Sequence, residues 1–515
     1  GEVGLEITVV SADISRTVEF TLPARRERPP AVSVTRDDDG LVLEGELGRV
    51  EVANATECWA DGEVPLALPT KVAKFASSTV IATGRYAVSA ADDFNLDLAN
   101  PDQLTLDLAS RELNLGEVHV ALRGWSPGES EVSLVVRNPI PVAERGRRGQ
   151  RMLLQEVREG AGPLQERAVA MCFGGRRAGD SVYPVVRELL ARGIQVDVCV
   201  ADYSIRVPDG AKPVLLHSRE WHEAFTHAKY LVNNAEFPHY VRFREGQRYL
   251  QTWHGTPLKR IANDIVNSQL SAGYSAAMRR EVQTWEALLA QNEFAAQVLP
   301  KAFGFQRHTI VEGYPRNDAL AADASLRART RAALGLGNEL VVLYAPTWRD
   351  TVRDAAGRRA FVSHLDMGQL HTELGATVLV RSHSNTAAAR GSIAAAGVID
   401  VTAFPDIAAL MAAADVLVTD YSSVMFDFAV TERPQVFLVP DLEQYRDVDR
   451  GFYLDFAQVA PGPIVDTTEA VIEALNEPGA GYADRRLAFR QQFAPHDDGH
   501  AARRVVDAWL GPAAR

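Results

Sequence analysis

The spacing of apolar residues predicts an α/β chain: two successive doubly wound units with parallel sheets, preceded by an all-β, sandwich-like module. Three observations carry this. Up to about Ile140 apolar and polar residues alternate with period two; from Ala168 the order becomes strand, glycine-rich loop, helix, strand; and that series starts afresh at Leu340. At 515 residues the chain exceeds one ordinary core, so a division into several domains is expected.

Taken in order, the runs Leu5–Val10, Ala31–Val34, Leu41–Gly45, Leu104–Leu108, Val118–Leu122 and Val132–Val136 read as half-buried antiparallel strands of an accessory module over residues 1–145. Trp59 and Trp125 within it fit core packing better than a sugar-stacking platform. Glu144–Arg151 is a basic, glycine-containing break, which predicts a linker over 146–165; contact with anionic lipid headgroups is the second reading of its arginines.

The first α/β unit, 166–330, opens with the strand Ala168–Phe173, the loop Gly174–Gly179, a helix over Val182–Arg192 and the strand Val196–Val200. Strands at Tyr230–Asn233, Tyr249–Thr252 and Thr309–Gly313 follow, with helices such as Ala276–Ala290 between them. The second unit, 331–490, takes its strands from Leu340–Ala345, Thr377–Arg381, Val398–Val401, Asp415–Asp420 and Gln435–Val439. Leu487–Leu510 reads as helical, and 491–515 as a terminal helix that packs back across the two units. Two such units in succession imply a cleft between them.

Composition narrows the functional classes. An apolar content of 46% with 23% charged residues is that of a globular chain. The net charge of −13 opposes general nucleic-acid binding, which needs a basic footprint. Cys58, Cys172 and Cys199 are odd in number and far apart, which points to buried thiols in a reducing cytoplasm rather than disulfides or zinc. No stretch has the roughly 20 apolar residues that span a bilayer, and no basic-then-apolar leader is present. The chain starts at Gly1 without a methionine, so it reads as a piece of a longer polypeptide and leaves targeting open.

Four strand-end loops and one hinge-like turn carry the chemistry. Gln251–Arg260 places His254 beside Gly255, Thr256, Pro257, Lys259 and Arg260. In Leu417–Phe428 a buried strand ends at Thr419–Asp420 and a helix begins near Val424, so Ser422 and Ser423 fall where free N–H groups and the helix dipole attract anions. Arg381 and His383 follow a strand and could hold phosphate oxygens and supply charge or a proton to a leaving group. Thr347 and Arg349 sit likewise after Leu340–Tyr344, and Glu312–Asp318 has the turn chemistry of a hinge. Together these loops describe a site for a phosphorylated ligand; neither a P-loop nor a Gly-x-Ser-x-Gly elbow is present.

Gln251–Lys259, Gly313–Asp318, Tyr344–Arg349, Arg381–His383 and Thr419–Phe428, in that order, closely resemble the CDP-glycerol glycerophosphotransferase family of teichoic acid primases and polymerases. The resemblance covers about Ala168 to Leu510 and implies a GT-B fold, with an acceptor domain at 166–330 and a CDP-donor domain at 331–490. It implies that His254 is the general base and that His383 and Arg381 stabilise charge on the phosphates. Ser422, Ser423, Asp420, Asp427, Thr347 and Arg349 fall to the donor, and Gly255, Thr256, Lys259 and Arg260 to the acceptor side. The implied reaction transfers glycerol phosphate from CDP-glycerol to a teichoic-acid or capsule-like acceptor, lipid-linked in the family, with release of CMP at the inner face of the cell membrane. Peripheral membrane contact would serve that acceptor. Two departures stand out: a loop at Gly174–Gly179 richer in arginine than the family's, and a β-rich first module where some polymerases carry a helical membrane-targeting region.

CDP-ribitol or another CDP-polyol remains open as donor. So do a sugar-nucleotide glycosyltransferase or epimerase, for which Asp427 or Glu432 would be the ribose-binding carboxylate, and a non-catalytic polymer-binding protein. No metal site is assigned. Asp420 and Asp427 could hold Mg²⁺, but helix N-termini and arginine also neutralise a diphosphate.

Overall fold

The computed structural model describes residues 144 and 146–512 with their side chains, apart from 178, 202–204, 206, 266–271, 348–362, 382–395, 403, 405, 447–450 and 478–480; the side chains of 272–274 and 444 are also outside it. Before residue 144 it describes only the backbone of ten strands between Glu2 and Arg137, arranged in two five-stranded sheets. Leu104–Leu108, Trp59, Trp125 and the sandwich-like packing of the first module lie outside the described residues.

The first α/β unit is a seven-stranded sheet. Its strands are β1 (Gln165–Met171), β2 (Gln195–Val200), β3 (Lys212–Leu215), β4 (Ala228–Asn233), β5 (Arg248–Gln251), β6 (Ala287–Ala290) and β7 (His308–Val311), in the order β3-β2-β1-β4-β5-β6-β7, all parallel. Runs such as Val-Ala-Met in β1 and Ala-Leu-Leu-Ala in β6 are continuous rather than alternating because helices cover both faces of the sheet. The second unit holds β8 (Val341–Ala345), β9 (Thr377–Val380), β10 (Val398–Asp400), β11 (Val416–Thr419), β12 (Gln435–Leu438) and β13 (Ile464–Val465), in the order β10-β9-β8-β11-β12-β13, again all parallel. Each sheet reverses its winding once, between β1 and β4 in the first and between β8 and β11 in the second, and ligands of such sheets bind at the carboxyl ends of the strands there.

Three elements differ from the sequence reading. The linker expected over 146–165 contains the helix Gly146–Glu159, which buries Leu153, Leu154 and Val157. Its buried Gln150 is wired into the first unit, donating to the His217 carbonyl (2.9 Å) and accepting from Tyr240 Oη (2.8 Å) and His222 Nε2 (2.9 Å). The arginines and glycines of this stretch hide a helical apolar stripe that begins only at Leu153. The helix expected over Ala276–Ala290 ends at Val282, and Ala287–Ala290 is the strand β6; a short apolar run buried on both faces has no period to distinguish strand from helix. The tail is two helices, Ala483–Phe493 and Ala501–Leu510, parted by a segment containing Pro495 and Gly499.

That tail joins the units. Phe489 and Phe493 pack with Phe426 and Tyr421 of the second unit, whereas Val505, Val506 and Trp509 complete the core of the first beside Val182, Val185 and Leu189. Asp318 accepts from the backbone N–H groups of Ala501 and Ala502, both at 2.8 Å, and so caps the last helix from the first unit. Deeper in the first unit, Glu281 is buried against Tyr249 Oη (2.8 Å) and the Phe237 N–H (3.1 Å), and burial pushes its carboxyl up to about 8.

Candidate active site

β5 delivers His254 to the reversal point of the first sheet. Thr252 N–H donates to the Asn233 carbonyl at the end of β4 (2.9 Å), and Gln251 Oε1 accepts from Trp253 N–H (2.9 Å). This geometry holds Trp253 at φ +51°, a conformation disfavoured for a bulky side chain and found where the surroundings enforce it. His254 then packs between two aromatic rings, Trp253 at 4.0 Å and Phe173 at 5.7 Å between centroids.

The His254 tautomer follows from its one hydrogen bond. Nδ1 lies 2.6 Å from the Asn234 carbonyl oxygen, which can only accept, so Nδ1 carries the proton. In the neutral ring Nε2 therefore presents a lone pair, and it makes no hydrogen bond among the described residues. Burial lowers the His254 pKa, opposed by the Asn234 carbonyl and by Asp180. The ring is thus neutral and basic at Nε2 near pH 7.

The segment after His254 runs directly into the second unit. A Cβ built on Gly255 would lie 2.8 Å from Ser423 Oγ and 3.3 Å from Ser423 Cβ, so the glycine lets Ser423 sit against the backbone, and a larger residue would turn its hydroxyl away. Thr256 is buried, with its hydroxyl donating to Gln291 Oε1 (2.6 Å). Leu258 lies in the core of the second unit beside Tyr421 and Met425. Lys259 forms an isolated β-bridge with Phe452, with its ammonium 5.8 Å from the Tyr445 ring, and Arg260 N–H donates to the Gly451 carbonyl (3.0 Å). Of the residues read as acceptor-side, Gly255 and Thr256 are therefore engaged inside the protein, while Lys259 and Arg260 are half-buried at the seam.

In the second unit, Thr347 and Asp420 meet at the reversal between β8 and β11. Both oxygens of Asp420 accept from Thr347 N–H, at 2.8 and 3.0 Å. Ser422 and Ser423 precede the short helix Val424–Phe428, and Ser422 Oγ accepts weakly from Val424 N–H at 3.5 Å. Arg381 is half-buried at the end of β9 and donates through Nη1 to the carbonyls of Phe404 (2.7 Å) and Val401 (3.3 Å). Burial, then repulsion by Arg177, pushes its pKa down to about 9, with Asp406 and Asp400 drawing the other way. Arg349 and His383 lie outside the described residues.

Asp427, read from sequence as a donor ligand, instead grips Arg316. Arg316 Nε and Nη2 donate to its two oxygens at 3.0 and 2.8 Å, and Nη1 reaches Asp180 at 3.1 Å. Asn317 bridges Asp427 and Asp497, 3.0 Å from each. Asp427 is committed to Arg316, and among the described residues no group of three or more His, Cys, Asp or Glu is placed to hold a metal ion.

Residues 181–510, well over half of the chain, match the family described as CDP-Glycerol:Poly(glycerophosphate) glycerophosphotransferase. The chain belongs to this family. It is 35% identical over 318 residues to a teichoic acid poly(glycerol phosphate) polymerase of Staphylococcus epidermidis, covering 58% of this chain but only 44% of that protein. A teichoic acid ribitol-phosphate primase of Bacillus spizizenii is more distant, 27% identical over 288 residues, 53% of this chain and 73% of its own. Among solved structures, a variant of the wall teichoic acid polymerase TagF soaked with CDPG superposes with a TM-score of 0.64 at 30% identity, covering 71% of this chain and 94% of that one.

In this glycerophosphotransferase family member, sequence reading missed three contributors. Arg316 lies in the turn Glu312–Asp318, to which the sequence gives hinge chemistry, and no local signal marks it as the partner of Asp427 and Asp180. Asp497 sits in a stretch read as helix; there it accepts from Tyr314 N–H (2.9 Å), Asn317 and Gln291 Nε2 (3.1 Å). Asp180, at φ +50°, follows the arginine-rich loop that stood out in the sequence, but nothing local marked it as the ion-pair partner of Arg316.

Proposed function

We propose that this protein transfers glycerol phosphate from CDP-glycerol to a hydroxyl of a teichoic-acid or capsule-like acceptor, releasing CMP. The observation that carries the reading is His254, with its proton fixed on Nδ1 by Asn234 and its Nε2 lone pair free, next to a glycine packed on Ser423 of the opposite unit. Family membership and the higher identity to the glycerol-phosphate polymerase than to the ribitol-phosphate primase support glycerol as the polyol.

In this reading the units 166–330 and 331–490 face each other in the GT-B manner, the first for the acceptor and the second for the CDP-donor, with 1–145 as an accessory module and 491–515 as the tail. Nε2 of His254 takes the proton of the acceptor hydroxyl as its oxygen attacks the β-phosphorus. The bond from that phosphorus to the bridging oxygen breaks, and the electron pair leaves with CMP. The phosphodiester product keeps glycerol phosphate; His254 leaves the step as imidazolium and returns its proton to solvent. Ser422, Ser423, Thr347 and Arg381 hold the donor's phosphates, joined by Arg349 and His383, while Lys259 and Arg260 steer an anionic acceptor. The acceptor is lipid-linked and the site of work is the inner face of the cell membrane; among the described residues no helix is long and apolar enough to cross a membrane.

The test is incubation with CDP-glycerol or CDP-ribitol and a defined prenol-linked glycerol-phosphate acceptor, read by CMP release and product length. Glycerol-phosphate addition with CMP release is expected; turnover of CDP-ribitol alone would reassign the polyol, and no CMP from either would overturn the transferase reading.

A further inference from the structure

Asn234 follows β4 and meets His254 with its backbone carbonyl, but its side chain reaches the loop that follows β1. The neighbouring Asn233 spends its side chain locally, with Oδ1 accepting from Ala235 N–H (3.1 Å). Asn234 does not. Its Oδ1 accepts from Phe173 N–H at 2.8 Å, and its Nδ2 lies 3.7 Å from Cys172 Sγ, the length of a weak N–H···S contact. The Cys172 thiol in turn donates to the Gly179 carbonyl (3.4 Å). The start of the loop therefore hangs directly on this fully buried amide, and its end hangs on it one contact further on.

That loop needs holding. Phe173 and Gly174 have φ of +45° and +65°, and a phenylalanine persists in that region where its neighbours enforce it. The Phe173 ring is also one of the two that pack on the His254 imidazole, at 5.7 Å between centroids. The peptide that carries the Asn234 carbonyl is fixed by its flanks as well. The Asn233 carbonyl accepts from Thr252 N–H (2.9 Å) and the Ala235 carbonyl from Gln251 Nε2 (2.9 Å), both on the segment that delivers His254. Asn234 thus joins the imidazole, held by its carbonyl at 2.6 Å, to the β1 loop, held by its amide.

We propose that Asn234 is a positioning residue for the transfer: its side-chain amide holds Phe173 against the His254 imidazole while its carbonyl keeps the proton on Nδ1, so that the ring has one orientation and one tautomer. The inference rests on the reading of His254 as the base. Without the amide, Phe173 N–H loses its buried partner and the loop is free to leave its positive-φ turn. The ring of Phe173 then no longer confines the imidazole, and the carbonyl that selects the tautomer is no longer held to the β1 loop. A free neutral imidazole populates both tautomers, and in one of them Nε2 carries a proton and cannot act as a base.

Histidine-selective ¹⁵N NMR at a pH where the imidazoles are neutral tests this, with His254→Ala assigning the His254 signals and thermal melts checking that each variant is folded. Wild type is expected to show the Nδ1–H tautomer alone, and Asn234→Ala a mixture of the two. In turnover with CDP-glycerol and a glycerol-phosphate acceptor, Asn234→Ala should lower kcat by roughly 10–100-fold, because misplacing a reacting group by about 1 Å can cost on the order of 10². CDP affinity should stay within about twofold. Phe173→Leu removes the ring but leaves the carbonyl and the Phe173 N–H in place, so it should keep the Nδ1–H tautomer and lower kcat less; it carries the test if Asn234→Ala does not fold. A folded Asn234→Ala with the wild-type tautomer or the wild-type kcat, a fall in its CDP affinity that matches the fall in kcat, or a Phe173→Leu with wild-type kcat would each overturn the positioning role. A wild-type protein that shows the Nδ1–H tautomer but releases no CMP would instead overturn the transfer reading beneath it.

Discussion

Arg316 and Asp427 form a two-point ion pair between the units, Nε to Oδ1 at 3.0 Å and Nη2 to Oδ2 at 2.8 Å, with both side chains buried. The same guanidinium holds Asp180 at 3.1 Å and lies 4.5 Å from the Tyr314 ring. Burial opposes its charge, but Asp427 and Asp180 outweigh that penalty and raise its pKa, so Arg316 stays cationic. A buried triad of this kind contributes little net stability over an apolar replacement, yet removing one member leaves the others unpaired.

Arg316→Met is therefore expected to destabilise the protein by about 3–5 kcal/mol, because Asp180 and Asp427 lose their shared counter-ion. Arg316→Lys keeps the charge but cannot reach both carboxylates in a fork, and should fall between. Denaturant unfolding of the three proteins checks the order; equal stability of Arg316→Met and wild type would contradict it.

In the proposed role the imidazole acts on the acceptor proton and not on the nucleotide, so His254→Ala should lower kcat by about 10²–10⁴ while leaving CDP affinity within a few-fold. The wild-type pH profile carries the same signature. A base must be unprotonated and burial lowers the His254 pKa, so the acid limb of kcat/KM should fall below the usual imidazole value of about 6.5. An acid limb above that value would remove His254 as the titrating group.

At Gly255, alanine would place its Cβ 2.8 Å from Ser423 Oγ and 3.3 Å from Ser423 Cβ. Oγ can rotate away and Cβ must give by only a few tenths of an ångström, so the cost falls at the low end of overpacking, about 1 kcal/mol. Gly255→Ala combined with Ser423→Ala should recover part of the loss, because the nearer atom is gone. Additive effects in the double-mutant cycle would show that the two residues do not touch in solution.

Glu281 offers a stability test away from the chemistry. Its folded pKa is raised to about 8 by burial, against about 4.3 for an unperturbed glutamate, so between those pH values the folded protein binds a proton that the unfolded chain releases. Stability from this group is present at low pH and is lost as pH rises toward 8. Glu281→Gln mimics the protonated form and keeps an acceptor for Tyr249 and Phe237. It should thus gain on wild type as pH is raised, and parallel stability–pH curves would show an ordinary carboxylate.

Much of this was legible in the sequence. The strands at Val196–Val200, Tyr230–Asn233 and Thr377–Val380 declared themselves because buried parallel strands are continuous β-branched and leucine runs, and the loops that follow them carry the polar residues. His254, Arg381 and the paired serines could be named for the same reason: they follow strand ends. What could not be read was partnership. Asp427 looks like a ligand until Arg316, 111 residues away, is seen to occupy it, and Gly255 looks like room for substrate until Ser423 is seen filling that room. Sequence spacing locates residues along elements, but the pairing of loops from two sheets depends on how the sheets meet. The strand Ala287–Ala290 is too short and too uniformly apolar to show a period, and in the helix Gly146–Glu159 the arginines and glycines of the first two turns mask an apolar stripe that starts at Leu153.

The last helix has a consequence for biosynthesis. Val505, Val506 and Trp509 fill a core whose other members lie between Ala168 and Tyr314, so that core is incomplete until the ribosome has passed Trp509. The second unit, made in between, has its own sheet and core and can fold first. Nascent first units would wait with an apolar face uncovered beside the helix Val182–Ala191, a surface a chaperone could hold. Chains terminated before Ala501 would then persist as chaperone clients, even though every candidate active-site residue had already been translated.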